Sequence, residues 1–166
     1  METRYLATCN YRQGTNRETA HAMKNGERWA IYKAAQEMAK YIPTNAVLIP
    51  IPSHTGNATY TLELAKRIAR ATNAEVLDAL KCEPREMLYT LKKQGKRPTP
   101  RQMGFYLVHS LPESKHIIIL DNVVATGTTA AAALMATGKG IVLAYAAATN
   151  SEQIEGLTRI NPFINN

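Results

Sequence analysis

The chain has 166 residues, of which 45% are hydrophobic and 20% charged, and it carries a formal net charge of +7 at pH 7. This length suits one domain with its own core, and the composition excludes a disordered or low-complexity protein. No apolar run approaches the ~20 residues that cross a bilayer, and the N-terminus has no apolar signal region. Cys9 and Cys82 lie far apart without a metal-binding pattern, so we expect reduced thiols in a cytoplasmic protein.

Strands and helices are predicted to alternate along the chain. An edge strand comes first, and an irregular stretch with some helix follows it at 10–26. Later helices are predicted from hydrophobic periodicity and alanine content, and strands from short apolar runs rich in β-branched residues. The predicted strands are 3–9, 46–51, 75–80, 105–108, 117–120 and 141–147, and the predicted helices are 28–41, 62–71 and 130–136. Strands separated by helices indicate a single α/β domain, 1–166, with a parallel sheet and helices on both faces.

The most informative run joins the strand at 117–120 to the helix that follows it. Asp121 comes directly after the apolar residues, so we expect it at the carboxyl end of the strand, where open α/β sheets bind ligands. The next turn consists of small and hydroxyl residues, namely Ala125, Thr126, Gly127, Thr128 and Thr129. Backbone N–H groups at a helix start, the helix dipole and threonine hydroxyls all favour an anion there. The run therefore predicts a phosphosugar site.

This run resembles the signature of type I phosphoribosyltransferases, which bind 5-phosphoribosyl 1-pyrophosphate (PRPP). The resemblance implies that residues 125–129 hold the 5′-phosphate and that Asp121 and Asn122 are catalytic residues facing the ribose hydroxyls. It also implies Mg²⁺ as the cofactor, on which Asp121 would act indirectly, through water or the ribose hydroxyls. The signature's second acidic position is Asn122 here, and an amide supplies no negative charge to a hydrated Mg²⁺. Ala125 stands where 6-oxopurine transferases usually carry Asp, which disfavours a hypoxanthine or guanine substrate.

A second turn follows the strand at 46–51. It contains Ser53, His54, Thr55 and Gly56, which offer backbone and side-chain donors. It resembles the pyrophosphate loop of phosphoribosyltransferases, and the spelling Ile-Pro-Ile-Pro-Ser-His is similar to the opening of that loop in the ComF-like competence branch. The Arg-Gly-Phe-Asn-like run that this branch carries next is replaced here by Asn-Ala-Thr-Tyr-Thr. The resemblance implies that residues 53–56 bind pyrophosphate.

The positive charge is concentrated in one segment, 81–104, which we call the basic segment. It holds seven Lys and Arg residues and two Glu residues, a net of +5. Gly95, Pro98 and Pro100 argue against regular structure, and in the family a flexible loop at this place closes over the reactants. Such cations could neutralise charge on departing pyrophosphate. Lys92, Lys93 and Arg97 are the candidate catalytic cations.

The predicted function is phosphoribosyl transfer from PRPP to a nitrogenous base, or the reverse, as part of nucleotide or nucleoside metabolism. The family recognises its base with a small hood, for which 10–26 and 150–166 are the candidate segments. Two alternatives stay open: a PRPP-binding regulator without turnover, and a nucleic-acid-binding or competence-related protein that uses the basic segment. The absence of a nucleic-acid-binding motif disfavours the latter. Thr128 follows Gly127 where a Walker A loop needs Lys, which disfavours an ordinary P-loop NTPase. The sequence leaves a homodimer open and predicts no membrane partner.

Overall fold

The computed structural model describes residues 3–148 and 157–160. Its strands are β1 (Thr3–Asn10), β2 (Ala46–Pro50), β3 (Glu75–Val76), β4 (Leu80–Cys82), β5 (Phe105–Leu107), β6 (His116–Val124), β7 (Ile141–Ala147) and β8 (Leu157–Ile160). Its helices are α1 (Asn16–Lys24), α2 (Arg28–Ala39), α3 (Tyr60–Thr72), α4 (Leu88–Lys93), α5 (Thr128–Thr137) and a 3₁₀ turn at Arg101–Met103.

Six strands form one parallel sheet in the order β3-β2-β6-β7-β1-β8, while β4 and β5 form a separate antiparallel pair. One face of the sheet packs on α1, α2 and α3 through a core that includes Met23, Met38 and Ile68. The other face packs on α5 and on the β4–β5 hairpin through Leu80 and Leu134. This arrangement confirms the predicted parallel α/β sheet with helices on both faces.

The helices predicted from periodicity are confirmed in position. In α2, the buried side chains are those of Ala30, Ile31, Ala34, Ala35 and Met38, spaced along one stripe. In α3, the buried face is Thr61, Leu64, Ala65 and Ile68, while Leu62 and Ala69, which the periodicity also turned inward, are only partly buried. The helix ends at Asn73, whose φ of 58° places it in the left-handed region that commonly closes helices.

Three expectations about strands are wrong. β1 is not an edge strand, because β8 pairs with it on the side away from β7. The single strand expected at 75–80 is two strands. β3 ends at Val76, and Leu77 N–H makes the last bond to β2, at 2.9 Å from Leu48 O. The next strand, β4, begins at Leu80. The strand at 105–108 forms as β5, outside the parallel sheet.

The basic segment has more regular structure than its glycine and prolines indicated. It begins in β4, includes α4 and the 3₁₀ turn, and ends next to β5. In the segment 10–26, α1 buries Ala20 and Met23 in the core beneath the other helices. Within 150–166, residues 157–160 form β8, and the rest lie outside the described residues. The hood therefore stays a prediction. No helix in the described part of the chain is long and apolar enough to cross a membrane.

Candidate functional site

The sheet has a point at which its connections change face. The helix after β2 (α3) packs on one face of the sheet, and the helix after the neighbouring strand β6 (α5) packs on the other. The loops leaving these two strands must diverge, and the crevice between them is where open α/β sheets bind ligands. The two loops that the sequence singled out, 53–56 and 125–129, border this crevice.

The β2 side of the crevice opens where β2 stops. Ile51 N–H makes the last bond to β6, at 3.1 Å from Leu120 O. The next N–H on that side of the strand, that of Ser53, bonds Asn57 O at 2.9 Å instead and so ends the ladder. β6 goes on to Val124, supported on its other side by β7. Asp121 was expected to end the strand, and that expectation is wrong by three residues. The carboxylate instead lies inside the protruding half of β6, beyond the last β2 partner.

Asp121 is a buried carboxylate. Its residue is 5% exposed, and its Oδ1 accepts the backbone N–H of Asn122 at 2.7 Å. Burial raises the pKa of Asp121 to about 6, against the lowering effects of that hydrogen bond and of the nearby Lys24 ammonium. A carboxylate with this pKa is mostly ionised at neutral pH but is poorly solvated. It is suited to accepting hydrogen bonds from hydroxyl groups.

The side chain of Asn122 is engaged inside the protein. Its Oδ1 accepts the Tyr60 hydroxyl at 2.9 Å, and its Nδ2 donates to the Ala20 carbonyl oxygen at 3.3 Å. The amide thereby joins β6 to α3 and to α1. Burial, and then the Asp121 charge, raise the pKa of Tyr60 well above its ordinary value, so the phenol stays protonated and remains a donor. The structure thus supplies one ionisable carboxylate at the signature, with the amide beside it already bonded.

The turn at 125–129 leads into α5 without a side-chain cap. Gly127 has φ 91° and precedes the first helical residue, and the Thr126 and Thr128 hydroxyls bond each other at 3.0 Å. Among the described residues, no acceptor bonds the backbone N–H groups of Thr129 and Ala130. Unpaired N–H groups at a helix start, with exposed hydroxyls beside them, can receive an anion. Ala125 is exposed at the start of the turn and offers no side-chain donor.

The loop at 53–56 uses several of its donors internally. Ser53 N–H bonds Asn57 O at 2.9 Å, Gly56 N–H bonds Ser53 O at 3.0 Å, and the Ser53 and Thr55 hydroxyls bond each other at 2.7 Å. Gly56, at φ 101°, lies so close to β4 that a Cβ would meet the Cys82 carbonyl oxygen at 2.5 Å. The side chain of His54 and the exposed Thr55 hydroxyl are the donors left for a ligand.

The basic segment starts beside that loop. Cys82 N–H bonds Gly56 O at 3.2 Å, and Arg85 N–H bonds His54 O at 2.8 Å. The Arg85 guanidinium donates through Nη1 to Glu86 O at 3.2 Å, while its buried Nε has no acceptor among the described residues. The backbone bond to His54 places this cationic residue next to the loop. Lys92, Lys93 and Arg97 lie farther along, with exposed side chains, and Lys93 Nζ sits 4.6 Å from the Tyr89 ring centroid. Among the described residues, neither Lys92 nor Lys93 forms a hydrogen bond or an ion pair with the β6 turn.

Comparisons with known proteins give distant structural neighbours. No protein-family model matches the chain, and no curated protein matches it in sequence. A solved structure titled as the allosteric regulatory enzyme of purine biosynthesis is 17% identical, with a TM-score of 0.46 over 70% of this chain and 25% of that one. The purine phosphoribosyltransferase of Pyrococcus horikoshii is 15% identical, with a TM-score of 0.41 over 96% of this chain and 87% of that one. This chain thus spans about a quarter of the first neighbour.

Two residues at the crevice could not be predicted as site residues from the sequence. Tyr60 opens α3 and Lys24 closes α1, and neither belongs to a recognisable motif. Tyr60 reaches Asn122 across 62 positions of the chain, so only the folded structure shows the contact. Sequence reasoning therefore missed both the donor that holds Asn122 and a cation whose charge acts on Asp121.

The site offers a Mg²⁺ ion one carboxylate, that of Asp121. Among the described residues no group of three acidic, histidine or cysteine side chains could hold a metal ion alone. Mg²⁺ bound with substrate phosphates needs only one or two carboxylates and keeps several waters. A single buried oxygen donor, Asp121, fits that requirement, whereas the bonded amide of Asn122 does not add a second anionic ligand.

Proposed function

We propose that the protein is a type I phosphoribosyltransferase that uses PRPP. The observation that carries the proposal is the position of Asp121 and the uncapped start of α5 on the same strand-to-helix connection, at the crevice where the sheet changes face. A carboxylate and an anion cradle a few residues apart match a ligand that has both hydroxyls and a phosphate. The resemblance of 116–129 to the PRPP signature supplies the identity of that ligand.

The residues divide into roles by chemistry. Asp121 would accept hydrogen bonds from the ribose hydroxyls, and the turn at 126–129 would hold the 5′-phosphate. His54 and Thr55 would donate to pyrophosphate, with Ser53 and Gly56 shaping that loop. Arg85, already fixed beside His54, would add positive charge there, as would Lys92, Lys93 and Arg97 if the basic segment closes.

The reaction needs no covalent bond to the protein. The bond between C1 of the ribose and the pyrophosphate oxygen breaks with its electron pair leaving on pyrophosphate, and a ring nitrogen of the base donates its lone pair to C1. The proton of that nitrogen passes to solvent or to pyrophosphate. Bound Mg²⁺ would neutralise pyrophosphate charge, and Asp121 is the residue that would hold it, through water or the hydroxyls. Positioning and charge stabilisation then carry the rate.

Calorimetric titration with Mg-PRPP tests the proposal. Asp121→Asn keeps the shape of the side chain but removes its charge, and it should weaken binding about tenfold to a hundredfold, as expected for a hydrogen bond to a charged group. Glu63→Gln is the control, because Glu63 is an exposed carboxylate on α3 outside the crevice. Unchanged affinity in Asp121→Asn, or no saturable binding in the parent protein, would refute the proposed site.

A regulator that binds PRPP without turnover is the second candidate, favoured by the internal engagement of Asn122. Pyrophosphate release in a screen of bases separates the two, since both bind PRPP and only the enzyme releases pyrophosphate. A single-stranded DNA titration at two salt concentrations addresses the basic segment: DNA binding without PRPP binding would transfer the function to that segment.

A further inference from the structure

A depression of about 540 Å³ lies at the carboxyl end of β1. Its lining residues are Tyr11, Arg12, Gly14, Arg17 and Glu18, and we call it the β1 depression. Its volume falls in the range of small-molecule sites. Tyr11 N–H bonds the Ala147 carbonyl at the end of β7, and Ala148 N–H bonds Val124 O at the end of β6. Two strand spacings, about 10 Å, thus separate the depression from the β6 turn along the same edge of the sheet.

Positive charge dominates the lining. Arg12 and Arg17 both have exposed side chains, and neither forms an ion pair or side-chain hydrogen bond with another described residue. A guanidinium presents a planar fork of donors that matches a carboxylate in two parallel hydrogen bonds. Glu18 is the single acidic side chain of the lining, so the depression offers donors for an anionic group and one acceptor for an N–H group.

An aromatic ring forms part of the same wall. The Tyr11 hydroxyl lies 2.7 Å from His21 Nε2, and the two ring centroids are 6.2 Å apart. This hydrogen bond holds the side chain of Tyr11, a lining residue of the depression, against His21. A fixed aromatic face beside guanidinium planes favours a flat, π-bonded ligand.

Helix α1 connects the β1 depression to the proposed reaction centre. Its first turn contributes Arg17 and Glu18, its Ala20 carbonyl bonds Asn122, and its last residue, Lys24, is near the Asp121 charge. The helix is fixed to the sheet by buried Ala20 and Met23. A ligand in the depression and a ribose at Asp121 would therefore contact the two ends of one short, rigid element.

We propose that the β1 depression binds the acceptor and that this acceptor is a flat nitrogen heterocycle bearing a carboxylate. The inference rests on the proposed phosphoribosyl transfer. The carboxylate pairs with Arg12 and Arg17, the ring lies against Tyr11, and Glu18 accepts a ring N–H. A phosphate is a poorer match, because the phosphates of PRPP already have the α5 start and the basic segment as proposed partners.

The test compares acidic and neutral members of matched pairs, orotate with uracil and nicotinate with nicotinamide, by calorimetry with and without Mg-PRPP. At least one acid should bind about tenfold or more tightly than its neutral partner. Arg12→Gln and Arg17→Gln should each weaken that acid about tenfold or more, the usual cost of losing a charged hydrogen-bond partner. Arg70→Gln, an exposed arginine in the last turn of α3, is the matched control and should leave the affinity unchanged.

Two outcomes overturn the assignment of the depression: neutral and acidic partners bind equally, or both arginine variants retain the affinity of the parent protein. Both arginines are exposed, so thermal unfolding should show that the variants are folded. The PRPP titration distinguishes a failure of the acceptor assignment from a failure of the proposed transferase function. Normal PRPP binding without acid preference refutes the acceptor assignment alone, whereas arginine-dependent acid binding without PRPP binding refutes the transferase and leaves an anion site at β1.

Discussion

Asp121 illustrates how a single buried side chain at the proposed site lowers the stability of the folded protein. It is one of two aspartates in the chain, and it is buried at the protruding half of β6. Among the described residues, the one group that donates a hydrogen bond to it is the backbone N–H of Asn122, so the ionised form has lost most of its hydration and gained little in return. A ligand with hydroxyl groups or a hydrated cation would restore those interactions. The residue is therefore suited to binding and not to holding the fold together.

The stability of the protein should fall as pH rises through the titration of Asp121. Its pKa is about 6 in the folded protein and about 3.9 in an unfolded chain. Between these values the folded state binds more protons, so raising the pH favours unfolding, and above about pH 6 the cost is constant at about 3 kcal/mol. Asp121→Asn cannot ionise and should be the more stable protein at about pH 7, with the difference vanishing near pH 4. Urea unfolding of the parent protein and the variant across this pH range measures the difference in unfolding free energy.

The matched variant for this experiment is Asp78→Asn. Asp78 pairs with Lys81 at 2.8 Å at the start of the hairpin, so removing its charge should not stabilise the protein at neutral pH. A gain in stability in Asp121→Asn that is accompanied by weaker PRPP binding would separate a functional role from a structural one. If Asp121→Asn is instead less stable than the parent protein at every pH, then the buried carboxylate has a stabilising partner and this account is wrong.

At the scale of the elements, Asn122 connects three of them. Its amide bonds the hydroxyl of Tyr60 on α3 and the Ala20 carbonyl on α1, while its backbone lies in β6. Tyr60→Phe should cost about 1–2 kcal/mol of unfolding free energy, because it leaves the partly buried Oδ1 without a donor. In Asn122→Asp, Tyr60 can still donate to the side chain, but the Ala20 carbonyl loses its donor and faces an oxygen. This change should cost about 1–3 kcal/mol of unfolding free energy. Urea titration at neutral pH measures both.

The coupling between Tyr60 and Asn122 provides the sharper measurement. In a double-mutant cycle of Tyr60→Phe and Asn122→Ala, contacting side chains should show an interaction energy of about 0.5–3 kcal/mol. Tyr106→Phe is the control, since Tyr106 is exposed on β5 and its hydroxyl bonds no other described residue. Additive free energies in the cycle would mean that Asn122 is free to face the ribose, as the sequence resemblance implies.

A helix or strand could be predicted from the sequence when the pattern that indicates it lies within its own residues. The apolar run at 117–120 and the stripe of α2 are local, and both elements are confirmed. The strand β6 extends to Val124 because β7 pairs with it, which no property of residues 121–124 shows. The engagement of Asn122 joins positions separated by 62 and 102 residues, and the β4–β5 pair spans the whole basic segment. Such contacts depend on the tertiary fold and leave no periodic pattern in the sequence from which they could be predicted.

At the scale of the molecule, the position of the site follows from topology. The sequence predicted two ligand-binding loops, after β2 and after β6, but not that these strands are neighbours. Because these strands pair from Ala46 to Pro50, the two loops leave the sheet side by side. The helices that follow them, α3 and α5, pack on opposite faces of the sheet, and the crevice lies between the loops. Strand order cannot be read from alternating elements alone, because the same alternation is compatible with several orders. The joint site is therefore a product of the whole sheet.

The net charge of +7 is distributed unevenly over the molecule, with a net of +5 in the basic segment. α4 has no buried residue, so its lysines can change without disturbing the core. Such a segment near the crevice should attract an anionic substrate before contact, an effect that acts on the association rate and is screened by salt. The rate of PRPP association, measured at low and high salt, is then the property that reports on the basic segment.

Replacing Lys92, Lys93 and Lys96 by glutamine should slow Mg-PRPP association several-fold at about 0.02 M salt and much less at about 0.5 M, where the screening length is only a few ångströms. The control removes the same charge from the opposite side of the sheet, at Lys33 on α2, Lys40 directly after α2 and Lys66 on α3. Stopped-flow measurements compare the two triple variants, with urea unfolding as the check on the fold. Equal slowing in both would attribute the effect to net charge, whereas a selective effect in the first would show that its location near the crevice matters.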